Sequence, residues 1–286
     1  MNLRDWFKHH PRWSITLIFA ILTLTVSNIY VRATNNFLMR QGLHDIDNAT
    51  VSFAIRFVVS ALTLILLYYF LYQQPRSIRE YQQELLAVRG YSWTTTIGFG
   101  LVSFMIFAII SASTLMILGI FTNDPLVFLK QPSDTQAGWL WLLFAVNPGL
   151  FEEMGFRGLL FTNLRRIHSE KTVITLTAVL FGLFHFTGLA NGQPISGVIL
   201  TAIMATSFGL SWGYITAKTK SVIPSMIIHY LVNAFSEVLQ ANTPRDELVL
   251  LYVVTMTILY PIFSILAVRF MTSRLSGTRQ KLSEGI

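Results

Sequence analysis

Long apolar blocks separated by short polar connections organise this chain. Eight stretches, at about 13–31, 51–72, 93–121, 139–166, 172–190, 197–216, 222–241 and 247–270, are each apolar over about the length that a helix needs to cross the hydrocarbon core of a bilayer. The pattern predicts an all-α fold, a polytopic transmembrane helical bundle of about eight spans that forms a single membrane domain over residues 1–286. No internal repeat, low-complexity segment or linker divides it. The first block, WSITLIFAILTLTVSNIYV, follows a basic start. It is longer than the apolar core of a secretory signal and lacks a small-x-small cleavage site, so a retained span is expected. Residues 271–286 are expected to form a mobile cytoplasmic tail.

Composition agrees with this pattern: 53% of residues are hydrophobic and only 12% are charged, against about 25% charged in soluble domains. Cysteine is absent, which excludes disulfides, thiolate ligands and a cysteine nucleophile. The net charge of +7 is scattered over short loops without a continuous basic face, so no nucleic-acid partner is expected. When alternate loops are assigned to opposite faces, the charges separate. Arg4, Lys8, Arg12, Arg76, Arg79, Arg89, Arg165, Arg166, Lys171, Lys218, Lys220, Arg274, Arg279 and Lys281 share one face. Arg32, Arg40, Lys130 and Arg245 fall on the other, among Asp45, Asp47, Asp124, Asp134, Asp246 and Glu247. The positive-inside rule then places both termini in the cytoplasm, with membrane lipids as the surrounding partner.

Against this background, charged residues inside spans stand out. Glu152, Glu153 and Arg157 sit in the fourth block, where each such residue costs roughly 2.5–3.5 kcal/mol on insertion scales, so an intramembrane cluster is a functional-site hypothesis. Pro148 and Gly149 precede them and predict a kinked turn with a freed carbonyl. Glu153 and Arg157 are four apart and share a helical face, whereas Glu152 is rotated by about 100°. The spacing assigns Glu153 with Arg157 to structure and Glu152 to chemistry; the alternative is a structural charge cluster that locks helices together. His185 follows Phe181 by one turn in the fifth block, and His229 and Asn233 are four apart in the seventh. Pro224, Trp212 and Pro261 are read as kinks, interfacial anchors or lipid-facing bulk, and Arg56 as a snorkelling side chain.

Counted from the basic-loop end of each span, Glu152, His185, His229 and Asn233 all fall roughly 10–21 Å deep at 1.5 Å per residue. If the helices are neighbours, a carboxylate, two imidazoles and an amide can surround one water, with a general base and oxyanion donors for amide hydrolysis. There is no HExxH, no GxGD and no GxSG in the chain. A proton-coupled transporter would also use intramembrane Glu and His, but would be favoured by a two-fold hydropathy symmetry that is not detected. A non-catalytic immunity or scaffold protein is the other alternative.

Taken together, Glu152, Glu153 and Arg157 in EExxFRG, Phe181 to His185 in FxxxH, and His229 to Asn233 in HxxxN resemble the CPBP family of intramembrane proteases. This family, also called CAAX protease, bacteriocin-processing or Abi, includes the Rce1-like CAAX prenyl endopeptidases. The resemblance covers about residues 139–235. It implies a helical fold around a catalytic cavity inside the membrane, and endopeptidase activity. Glu152 would activate water, His185 would assist, and His229 with Asn233 would stabilise the oxyanion; Glu153, Arg157 and Phe181 would support the site. The family's metalloprotease label implies Zn²⁺ or another divalent metal on His185, His229 and Glu152. A ligating Glu152 could not also be the free base, so hydrolysis without any metal stays open beside it. The compact FRG form is similar to bacterial members, which implies a bacterial cell membrane and a hydrophobic or membrane-associated peptide as substrate.

Overall fold

The computed structural model describes residues 5–6, 9–26, 45–71, 91–122, 127–129, 142, 145–190, 192–241 and 246–283. The loop charges at Arg4, Lys8, Arg32, Arg40, Arg76, Arg79, Arg89, Asp124, Lys130, Asp134 and Arg245 lie outside the described residues, as do the side chains of Arg12, Arg56, Arg279 and Lys281. The described elements are α1 (Pro11–Val26), α2 (Asp45–Leu71), α3 (Trp93–Thr122), β1 (Val127–Leu129), α4 (Val146–Glu153), a π-helical segment (Met154–Leu160), α5 (Phe161–Leu164), α6 (Glu170–Phe184), α7 (Thr187–Ala190), α8 (Ile195–Thr219), α9 (Ile223–Val238), β2 (Leu239–Ala241) and α10 (Asp246–Ser283). The protein is a helical membrane bundle. Its only departure from helix among the described elements is the antiparallel pairing of β1 with β2, in which Phe128 faces Gln240.

Among the described residues, four helical stretches are long and apolar enough to cross a membrane: Trp93–Thr122, Glu170–Ala190, Ile195–Thr219 and Glu247–Leu275. Trp13–Leu22, Phe53–Leu67 and Ile223–Ser236 are apolar but shorter. The spans present broad apolar faces outward, such as Ile117, Ile120 and Phe121 on α3 and Ile262, Phe263 and Leu266 on α10. A soluble domain would have to cover such surface; an acyl environment solvates it. α10 continues past Met271 to Ser283.

Side-chain pairs fix the direction of each helix. Ser103 meets Ser264 while Ser111 meets Tyr252, so α3 and α10 run antiparallel. Ser207 meets Thr257 and Trp212 meets Tyr260, so α8 runs with α10. Thr216 meets Ser225 and Trp212 lies against His229, so α9 opposes α8. Lys218 bridges to Glu170 at 2.7 Å, closing the antiparallel α6–α8 pair. One end of the bundle therefore gathers the start of α3, the α5–α6 turn with Arg165, Arg166 and Lys171, and the α8–α9 turn with Lys218 and Lys220. The opposite rim gathers residues 122, 190, 195, 238 and 246, and no Lys or Arg occurs among the described residues around those ends.

Candidate active site

The Glu-Glu pair closes α4, and the backbone widens into a π-helix over Met154–Leu160 directly after it. A π segment within a helical rod often marks a functional site, since it displaces side chains from the α register. Here it carries Arg157. Pro148 falls in the first turn of the described helix, where its missing N–H costs no ladder bond. The turn that Pro148 was expected to kink reaches back to residues 143–144, outside the described residues; among the described residues the irregularity follows the carboxylates. Gly149 has a different use: a Cβ there would meet the Tyr230 backbone N at 3.1 Å and the Met226 O at 3.2 Å. Its absence lets α4 lie against α9, the helix that carries His229.

Glu153 is fully buried, and its Oε1 accepts from Arg157 Nη1 at 3.0 Å and from His229 Nδ1 at 2.9 Å. The Arg157 guanidinium lies over the Phe181 ring at 4.3 Å. Its Nη2 is 3.1 Å from where a Cβ on Gly209 would sit, so that glycine makes room for the buried cation. Arg157 Nε, Arg157 Nη2 and Glu153 Oε2 find no hydrogen-bond partner among the described residues, which leaves the pair dependent on its single bond and on the aromatic face. Glu152 is 9% exposed and stands apart from this pair. Its Oε2 is 3.9 Å from His229 Nε2, and it makes no hydrogen bond among the described residues.

His185 caps α6, where the last turn tightens: its backbone N–H donates to Gly182 O rather than to Phe181 O. The freed Phe181 carbonyl accepts from the ring Nδ1 of His185 at 2.8 Å. A carbonyl can only accept, so Nδ1 carries the proton and Nε2 of the neutral ring keeps its lone pair. The FxxxH spacing thus fixes a tautomer through backbone geometry. The Phe181 ring meanwhile stands edge-on to His185 at 5.0 Å and to His229 at 5.9 Å, joining both imidazoles to the Arg157 layer.

A cavity of about 460 Å³ adjoins these groups, with His185, His229, Asn233 and Phe181 in its wall. Glu152 is not among the lining residues and meets the cavity across His229. Sequence reasoning missed Trp212, which it took for lipid-facing or interfacial bulk. Trp212 is buried, lines the cavity, lies against His229 at 4.8 Å and donates from Nε1 to Tyr260 Oη at 2.7 Å. Tyr260 in turn bonds Ser103, and Ser103 bonds Ser264. The small residues beside Trp212, Ser211 and Gly213, were the available signal, since a lipid-facing indole needs no close helix neighbour. Pro224, read as a kink, sits in the first turn of α9.

Each imidazole spends Nδ1 on a protein acceptor and keeps Nε2, as metal-bound histidines do. Yet no three His, Asp or Glu side chains among the described residues are grouped to hold a metal ion. The set of His185, His229 and Glu152 in this arrangement does not fit a site with three protein ligands, and no step below runs through a metal.

Residues 134–235 match the family described as type II CAAX prenyl endopeptidase Rce1-like. That stretch holds all three motifs, so the CPBP resemblance of this part of the chain is established. The chain also resembles the uncharacterized protein YyaK of Bacillus subtilis (strain 168), with 35% identity over 85 residues, or 29% of this chain and 27% of that protein. The aligned segment spans little more than a quarter of that relative. Together with the apolar helices, the family match identifies an integral membrane protein.

Proposed function

We propose that this protein is an intramembrane endopeptidase that hydrolyses a peptide bond in a hydrophobic or membrane-associated peptide, with Glu152 as general base. The observation that carries the reading is the unequal use of the two adjacent carboxylates. Glu153 is consumed by Arg157 and His229, while Glu152 lies 3.9 Å from an imidazole with no hydrogen bond of its own among the described residues. The Rce1-like match over residues 134–235 supports the CAAX-type protease class.

In the reaction, a water oxygen attacks the scissile carbonyl carbon while Glu152 takes its proton, and the same proton then passes to the leaving amine nitrogen. The unprotonated Nε2 of His185 accepts the second hydrogen bond that orients the water. Oxyanion donors come from the Asn233 amide and from His229. Because His229 Nδ1 already donates to Glu153, the ring serves the oxyanion only through an Nε2–H, which it carries when both nitrogens hold a proton. The basic-loop asymmetry supports cytoplasmic termini, and the Bacillus relative supports a bacterial cell membrane.

Cleavage of a fluorogenic apolar peptide by the purified protein tests this. Glu152→Gln and His185→Ala are expected to lower kcat by about 10²–10⁴-fold with the fold intact by thermal unfolding. Retained cleavage in both variants rejects the mechanism, and proton-coupled uptake into liposomes would favour the transporter instead.

A further inference from the structure

The walls of the cavity are displaced to one side of the His229 layer. On α9 they run from His229 to Ser236, on α3 from Phe107 to Leu115 and on α8 from Trp212 back to Thr201. Given the helix directions, all three runs head toward the rim that gathers residues 122, 195 and 238, over roughly 10–16 Å at 1.5 Å per residue. Tyr252, near the rim end of α10, completes the wall and bonds Ser111 at 2.9 Å. The far end of the α9 run, Ser236, is exposed.

On the other side of the layer the bundle is filled. Leu164, Thr216, Thr219, Val222 and Ser225, all toward the basic-loop end, are buried. A substrate approaching from there would have to displace close-packed side chains, whereas the rim side offers a ready volume. Among the described residues the lining includes no Asp, Glu, Lys or Arg, and an unpaired charge placed there would lose its hydration without compensation.

We propose that the substrate reaches His185, His229 and Asn233 from the rim opposite the basic loops, as an uncharged segment lying between α3, α8 and α9. This inference rests on the protease reading for its consequence and on the bundle geometry for its direction. By the positive-inside rule the rim faces away from the cytoplasm. The substrate is accordingly a peptide segment that is translocated, or embedded from the outer leaflet, before it is cut.

The absence of cysteine makes a direct test available. Thr201→Cys and Ser236→Cys are each reconstituted in sealed proteoliposomes, oriented by protease access to a C-terminal tag, and treated with a membrane-impermeant maleimide. Labelling is expected from the side opposite the tag, and cleavage of an apolar peptide is expected to fall at least tenfold relative to the same sample before labelling. A peptide with Lys or Asp next to the scissile bond is expected to be cut at least tenfold more slowly than its Leu counterpart. Labelling of both positions from the tag side, unchanged cleavage after labelling, or equal cleavage of the charged peptide overturns the proposal. Equal cleavage by the unsubstituted chain and by Glu152→Gln would instead sink the protease reading, and the side of labelling would still report the direction of approach.

Discussion

Across the His229 layer the two halves of the bundle use the same kinds of residue for opposite purposes. Toward the basic loops, aromatic rings fill space: Phe156 touches Phe181 at 5.2 Å and Phe184 at 5.3 Å, and Leu159, Leu160 and Phe156 are fully buried. Toward the rim, Phe107, Phe208 and Val232 surround a cavity instead. A core packed on both sides would immobilise the catalytic groups and exclude substrate, and one hollow on both sides could not hold a buried ion pair. The filled half therefore positions Glu153, Arg157 and His229, and the hollow half admits the peptide.

The largest expected effect breaks the filled half at its charge. Arg157→Ala leaves Glu153 buried with the His229 imidazole as its remaining partner, and the loss of one partner of a buried pair costs about 3–5 kcal/mol. The expected outcome is a large fall in Tm, or failure to accumulate folded protein in the membrane, followed by thermal unfolding in detergent. A Tm near that of the unsubstituted chain would show that the filled half does not depend on the pair.

A smaller effect concerns the hydroxyl network that carries Trp212. Tyr260→Phe removes the acceptor of the indole N–H and leaves that donor buried, which costs about 1–3 kcal/mol. Because Trp212 lies against His229, tilted by 37° at 4.8 Å, the loosened ring is expected to lower kcat several-fold with little change in KM. Equal losses in Tyr260→Phe and in Ser264→Ala on Tm alone, with kcat untouched, would reduce Trp212 to packing.

The difference between these two effects also marks what the sequence could disclose. The ion pair was legible because four residues of helix place Glu153 and Arg157 on one face whatever surrounds them. The tautomer of His185 follows from equally local geometry, the four-residue step back to the Phe181 carbonyl. The membrane bundle was legible from block length alone. Trp212 was not, because its partners His229 and Tyr260 lie in other helices, and a Trp in an apolar span carries no mark of which side it faces. The π-helical segment was hidden as well: MGFRGLL has no residue that dictates a wider turn. The fourth block, read as a span over 139–166, is described at residue 142 and then from residue 145, as α4, the π segment and α5.

The smallest stability change gives the sharpest separation of the halves. Ala178 on α6 is fully buried with its Cα 3.0 Å from the Cβ position of Gly209, whereas Ala205 on α8 lines the cavity. Adding an isobutyl group where neighbours already touch forces side chains off their rotamers, at about 1–3 kcal/mol. Added beside an existing cavity, the same group has somewhere to go and buries apolar surface as it enters. Ala178→Leu is therefore expected to lower Tm, and Ala205→Leu to leave Tm within the range of ordinary neutral changes, about 0.5 kcal/mol. Cleavage should report the reverse emphasis for its cause: Ala205→Leu raises KM for an apolar peptide at unchanged stability, because the space it fills is the space the substrate needs. If Ala205→Leu destabilises as much as Ala178→Leu, the cavity closes in the membrane and the two halves are equally packed.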